Sequence, residues 1–218
     1  MKKDDSFVST SEASSLHQRS EPTVFVVEDD DDMRLSLKNT FTKAGLSTRC
    51  FRAPSEFLEF YARGMEGCLV VDYQLPEMDG LQLFNTLKEK NSELPFIVIS
   101  GFATVPRVRD AFHLGVVDFL AKPFGRAELL DKVKLALQRN ADMRQVQRVQ
   151  DSVAARLDLL TPREKEFMSH LADGFETKTI ASKLGISHKT AHNHRASILE
   201  KMQVDNVPRL IRMILVAQ

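Results

Sequence analysis

The sequence predicts two bodies, a doubly wound α/β domain built on five parallel strands and then a small all-α domain. Three observations predict them. Short apolar runs of strand length alternate with amphipathic stretches five times between residues 23 and 139. From residue 158 onward those runs give way to short helical stretches punctuated by glycine. The charge changes sign across the same boundary. Residues 23–139 carry 15 basic and 17 acidic side chains, whereas 156–218 carry 10 and 7, with four of the six histidines.

The elements follow in order. Residues 1–22 are rich in serine and charge and poor in apolar groups, so burial there cannot offset ordering entropy and a disordered tail is expected. Strands are expected at TVFVV (23–27), STRCF (47–51), CLVV (68–71), FIVIS (96–100) and VVDFLA (116–121). Between them, MRLSLKNTFTKAG (33–45) places Met33, Leu37, Phe41 and Ala44 on one helical stripe and stops at Gly45. PSEFLEFYARG (54–64) starts on proline and ends on glycine. LQLFNTLKEKN (81–91), ATVPRVRDAFHLG (103–115) and GRAELLDKVKLALQRN (125–140) complete the set, with Pro106 tolerable only in a first turn. Repeated strand–helix units of this length imply a parallel sheet with helices on both faces. Residues 140–157 contain neither Gly nor Pro and form a helical linker.

The second body, 158–218, reads as four helices. LTPREKEFMSHLADG (160–174) opens with Thr161, Pro162 and Glu164, a capping box with proline at the first helical position. TKTIASKLG (177–185) ends on Gly185, Ser187 caps HKTAHNHRASILEKM (188–202), and VPRLIRMILVAQ (207–218) closes the chain. A short helix, a glycine turn and a polar basic helix make a helix-turn-helix signature.

Composition excludes several classes. A formal net charge of zero rules out a uniformly basic nucleic-acid coat. No apolar run approaches the ~20 residues a membrane helix needs, and no apolar stretch follows the N-terminal lysines as in a signal peptide. Two cysteines, Cys50 and Cys68, give neither a disulfide framework nor metal-ligand spacing, so a reducing cytoplasm is the expected compartment.

The chemistry sits at the expected strand ends. Glu28 and Asp29 end the first, Asp72 the third, Ser100 the fourth and Lys122 the fifth. Each alone has a bland reading, as a loop acid, a turn former or a surface group. Together they form a carboxylate set suited to Mg²⁺, beside a hydroxyl and an ammonium that can hold phosphoryl oxygens. Asp72 is then a candidate nucleophile forming an aspartyl phosphate.

VVEDDDDMR, VVDYQLPEMDG, VISG and DFLAKPF, in that order, resemble the receiver domain of two-component response regulators, a flavodoxin-like fold. The resemblance implies that Asp72 is the phosphoacceptor. It implies that Glu28 and Asp29 are the acidic pair, that Gln74 offers a backbone carbonyl to Mg²⁺, and that Ser100 and Phe119 are the switch residues. Lys122 would pair with the phosphoryl oxygens, aimed by a cis bond to Pro123. The family usually carries Asp-Asp where this chain has Glu28-Asp29, so the longer side chain shifts the metal contact. Phe102 stands where relatives often place a polar residue, and an apolar ring there would slow phosphate loss. The acid expected two residues after the nucleophile in haloacid-dehalogenase-like phosphatases is Gln74 here, which argues against that class.

LTPRE, KTIASKLGIS and KTAHNHRASILEKM resemble the LuxR-type output domain of FixJ/NarL regulators, closest to the FixJ kind. The resemblance implies that the helix over 188–202 enters the DNA major groove. Lys189, Thr190, His194 and Lys201 would lie near phosphates, His192 and Asn193 would face base edges, and Arg195 could do either. The implied partners are a cognate histidine kinase, promoter DNA and, once phosphorylated, a second copy of the chain. Val108, Phe112, Val117 and Phe119 are expected at one dimer surface, and Leu210 and Ile214 at another.

Overall fold

The computed structural model describes residues 22–101 and 105–216, and the expected N-terminal tail and Phe102 lie outside the described residues. The chain divides into two compact units, 1–141 and 142–218.

The first unit is a five-stranded parallel sheet in the order β2-β1-β3-β4-β5. Its strands are β1 (Thr23–Val27), β2 (Ser47–Phe51), β3 (Gly67–Asp72), β4 (Phe96–Ser100) and β5 (Asp118–Ala121). Five helices follow them: α1 (Asp31–Lys43), α2 (Pro54–Phe60), α3 (Gly80–Glu89), α4 (Val105–Leu114) and α5 (Arg126–Asp158). The central strands β1, β3 and β4 bury both faces, which is why they read as apolar runs, whereas the edge strand β2 alternates. Phe25, Val27, Leu69, Val71, Phe96 and Val98 pack one way with Phe57, Leu83 and Ala111. Val24, Val26, Cys68, Val70, Ile97 and Ile99 pack the other way with Leu37, Phe41, Leu129 and Val133.

Two helix lengths differ from the sequence reading. α2 stops at Phe60 because Tyr61 turns to extended backbone (φ −61°, ψ 128°), four residues before the expected glycine stop. The helix expected over 125–140 and the helical linker are one 33-residue element, α5. Nothing between Gly125 and Pro162 can break it.

The second unit holds the end of α5 with α6 (Pro162–Ala172), α7 (Thr177–Leu184), α8 (His188–Lys201) and α9 (Val207–Val216). They enclose Val153, Leu160, Phe167, Leu171, Ile180, Ala191, Ile198, Met202 and Leu210. α7 ends at Gly185 in the left-handed region (φ 65°), which releases the chain toward the Ser187 cap of α8. Among the described residues no helix is long and apolar enough to cross a membrane.

Candidate functional site

Parallel pairing brings the chemistry of the first unit together. Val27 pairs with Val71, Asp72 with Ile99, and Ser100 with Ala121, so residues 28, 72, 100 and 122 stand at neighbouring strand ends. This is the carboxyl edge of the sheet at the switch between β1 and β3, where ligands bind in such folds. Donor oxygens of Glu28, Asp29 and Asp72 lie within 4.8 Å of one another. Glu28 is buried and Asp29 exposed, which gives the cluster one water-facing side.

Lys122 is placed between the acids. Its Nζ donates to Asp72 Oδ2 at 2.7 Å and to Glu28 Oε2 at 2.9 Å. One ammonium cannot neutralise two carboxylates. Burial, together with the Asp72 charge, raises the Glu28 carboxyl to about 7 against the pull of Lys122. Burial works against the Lys122 ammonium, but its hydrogen bonds to Asp72 and Glu28 outweigh that and its pKa is raised. Three carboxylates at one point, with the deepest resisting ionisation, fit a small hard cation.

The surroundings hold these groups in place. The Gln74 amide donates to Asp72 Oδ1 at 3.2 Å. Ser100 is fully buried, its carbonyl accepts from the Lys122 amide at 2.7 Å, and the Lys122–Pro123 bond is cis. Phe119 is half-buried against the core beneath α3 and α4. Two supports escaped the sequence reading. Arg34 Nη1 donates to the carbonyls of Glu28 at 2.8 Å and Asp29 at 3.1 Å, fixing the acidic loop. Its one sequence signal was the spacing to Asp31, which it pairs with. Gly80 lets the loop after Asp72 return to the strand, since a Cβ there would lie 2.7 Å from the Asp72 carbonyl oxygen.

In the second unit, α8 presents His188, Lys189, Thr190, His192 and Asn193 to solvent. Arg195 is half-buried, its Nη1 at 3.5 Å from Thr177 Oγ1. His194, expected near phosphates, is half-buried with its ring 5.9 Å from that of Phe167. Lys201, expected there too, donates to the buried Glu164 at 2.7 Å. Glu164 also accepts from Ser197 at 2.6 Å and from the Thr161 amide at 2.8 Å, locking α8 onto α6. Burial opposes ionisation of Glu164, yet these bonds outweigh it and lower its carboxyl to about 2.

The surfaces expected to dimerise are unequal. Phe112 is 48% exposed, while Val108 and Val117 are half-buried. Leu210 is a correction: it is fully buried in the second unit's own core and offers nothing to a partner. Ile214 packs partly against the same core, and among the described residues of α9 the exposed large apolar side chain is Leu215. The periodicity located the apolar stripe of α9 but not which part of it the small core takes up.

A receiver edge followed by a helix-turn-helix defines a class, the DNA-binding response regulators. Residues 24–134 match the response regulator receiver domain, and 158–214 match the luxR family of bacterial regulatory proteins. Nodulation protein W of Bradyrhizobium diazoefficiens is 37% identical over 190 residues, covering 87% of this chain and 84% of that one. Transcriptional regulatory protein FixJ of Azorhizobium caulinodans is 34% identical, covering 89% and 92%. Among solved structures, response regulator StyR superposes with a TM-score of 0.84 at 34% identity, covering 89% of this chain and 98% of that chain. Full-length FixJ from B. japonicum follows with 0.57 at 32%, covering 91% and 98%. The chain belongs to the two-component response regulators with a LuxR-type DNA-binding domain, and it is a transcriptional regulator rather than a metabolic enzyme.

Proposed function

We propose that this regulator is switched by phosphorylation of Asp72 and binds promoter DNA as a dimer of phosphorylated chains. The observation that carries the reading is Lys122 bridging Asp72 and Glu28 at a carboxylate-rich strand edge. A carboxylate oxygen of Asp72 attacks phosphorus in a phosphohistidine of the cognate kinase or in a small acyl phosphate. The bond from phosphorus to the donor breaks as the aspartyl phosphate forms, and the donor leaves with the bonding pair. Glu28, Asp29, Asp72 and the Gln74 carbonyl would hold Mg²⁺, which when bound would offset the charge of the phosphoryl oxygens.

Lys122 then turns from carboxylate partner to phosphoryl partner, and its position between the two acids supports that exchange. Ser100 follows the new oxygens and Phe119 follows Ser100, which reshapes the face carrying Val108, Phe112 and Val117. That face pairs two chains, with Ile214 in a second contact. Paired α8 helices place Lys189 and Thr190 at phosphates and His192, Asn193 and Arg195 at base edges. His194 and Lys201 act by packing and by holding Glu164 more than by touching DNA. The domains spanning 23–139 and 158–218, joined over 140–157, work in the cytoplasm, where kinase and DNA both are.

Incubation with acetyl phosphate and Mg²⁺, with Asp72→Ala beside it, tests this by intact mass and light scattering. One added phosphoryl group and a shift to dimer, both lost in the variant, are expected. No phosphoryl group in either protein leaves a receiver that regulates by binding alone. Phosphorylation without a change of size removes the dimerisation step.

A further inference from the structure

His188 and His192 are one turn apart on α8, both exposed, with ring centroids 5.2 Å apart and planes inclined at 53°. Among the described residues neither ring has a hydrogen-bond partner. Two imidazoles at this spacing on one helix face can close on a single metal ion. The same shallow depression is lined by Glu176, Thr177, Lys178 and Arg195. Glu176 stands at the N-terminus of α7, yet its side chain makes no capping bond. An exposed, unengaged carboxylate therefore shares the rim with two unengaged imidazoles. Its oxygens are not gathered with the two rings, since the described residues bring together three such donors only at Glu28, Asp29 and Asp72. Glu176 completes the set only if its side chain moves toward the two rings.

We propose that His188 and His192, joined by Glu176, form a transition-metal site on the DNA-facing helix, and that a metal there competes with DNA. The chemistry selects the ion. Imidazole nitrogens favour Zn²⁺, Cu²⁺ or Ni²⁺ over Mg²⁺, which takes oxygen ligands. Lys178 and Arg195 lower the affinity for any cation, so the site is a reversible one rather than a structural zinc. Competition follows from His192, which serves both the metal and the base edges. The metal site rests on the His188–His192 spacing and not on the proposed function, whereas its effect on DNA rests on the reading of α8 given above.

Titrating the full chain with Zn²⁺ in excess Mg²⁺, with His188→Gln beside it, tests both parts. His188 is exposed at the first position of α8, and the change leaves the core and the expected DNA contacts intact. Zinc binding at the site is expected to weaken roughly tenfold or more in His188→Gln and less in Glu176→Gln. Zinc should shift the ring-proton resonances of His188 and His192 while those of His170 and His194 stay in place. It should also release a fluorescent duplex from the wild type, with recovery on adding chelator, and not from His188→Gln. Equal zinc affinity in wild type and His188→Gln, with unmoved ring signals, overturns the site. Zinc binding that leaves duplex affinity unchanged overturns the competition. A duplex bound by neither protein breaks the DNA reading and leaves the zinc comparison standing.

Discussion

Glu28 and Glu164 are both buried carboxylates, and each accepts a hydrogen bond from one lysine, Lys122 at 2.9 Å and Lys201 at 2.7 Å. What surrounds each pair differs. Lys122 is shared with Asp72, so the receiver edge holds more negative charge than it can neutralise. Glu164 has its lysine to itself and adds a hydroxyl and a backbone amide. Burial, with the Asp72 charge added, holds the first carboxyl near 7, whereas at the second the bonds from Lys201, Ser197 and Thr161 outweigh burial and hold it near 2. Excess charge that folding leaves in place marks a site awaiting a ligand, whereas satisfied charge marks a joint between helices.

The comparison breaks most easily at the joint. Glu164→Ala removes the carboxylate that the Ser197 hydroxyl, the partly exposed Lys201 ammonium and the Thr161 amide share, at a cost of about 2 kcal/mol. The second unit should melt earlier in hydrogen exchange and lose DNA affinity, with the first unit's protection unchanged. Intact protection in 162–201 would show that the Glu164 network holds nothing.

A change of opposite sign is expected at the edge. Glu28→Gln removes a charge that the folded state disfavours, and in chelator at pH 8 it should stabilise the first unit by about 1–3 kcal/mol. The pH dependence follows from linkage. Because the Glu28 pKa is raised from 4.5 to about 7, the folded chain binds more protons than the unfolded one in that window. Stability therefore falls as pH rises from 4.5 to 7 when no cation is present. Glu164 runs the other way: its contribution is complete above 4.5 and is lost as pH falls toward 2. Denaturant melts at pH 5 and pH 8 with chelator, wild type against Glu28→Gln, check the sign. A destabilised variant at pH 8 would mean that the Lys122 bond outweighs the charge excess.

The two sites also differ in how far the sequence disclosed them. The receiver edge was legible because β-strand ends are addresses: apolar runs fix where each strand stops, and parallel pairing brings the stops together. Glu28, Asp72, Ser100 and Lys122 needed nothing more. Arg34 was not legible, since it acts through backbone carbonyls that any loop has. The Glu164 joint was half legible. Thr161, Pro162 and Glu164 announce a capping box, but its second use, gripping Ser197 and Lys201, depends on how α8 crosses α6. Leu210 was misread and the Lys201 bond to Glu164 was missed for that reason, because helical periodicity gives a face without naming its neighbour.

The smallest effect sharpens the comparison by removing one bond of the same kind from each unit. α3 and α6 both begin with a complete capping box, Asp79 with Gln82 and Thr161 with Glu164. Asp79→Ala and Thr161→Ala should each cost about 1 kcal/mol, the usual worth of such a cap. The consequences should then part. Thr161→Ala keeps the Thr161 amide, Ser197 and Lys201 on Glu164, so α8 stays seated and DNA affinity changes little. Asp79→Ala loosens the start of α3, where the Gly80 amide donates to the Tyr73 carbonyl at 2.9 Å, one residue from Asp72. A slower reaction with acetyl phosphate is expected in that variant alone. Equal, unchanged phosphorylation in both would mean that the edge is held by its strands and not by the helix that follows Asp72.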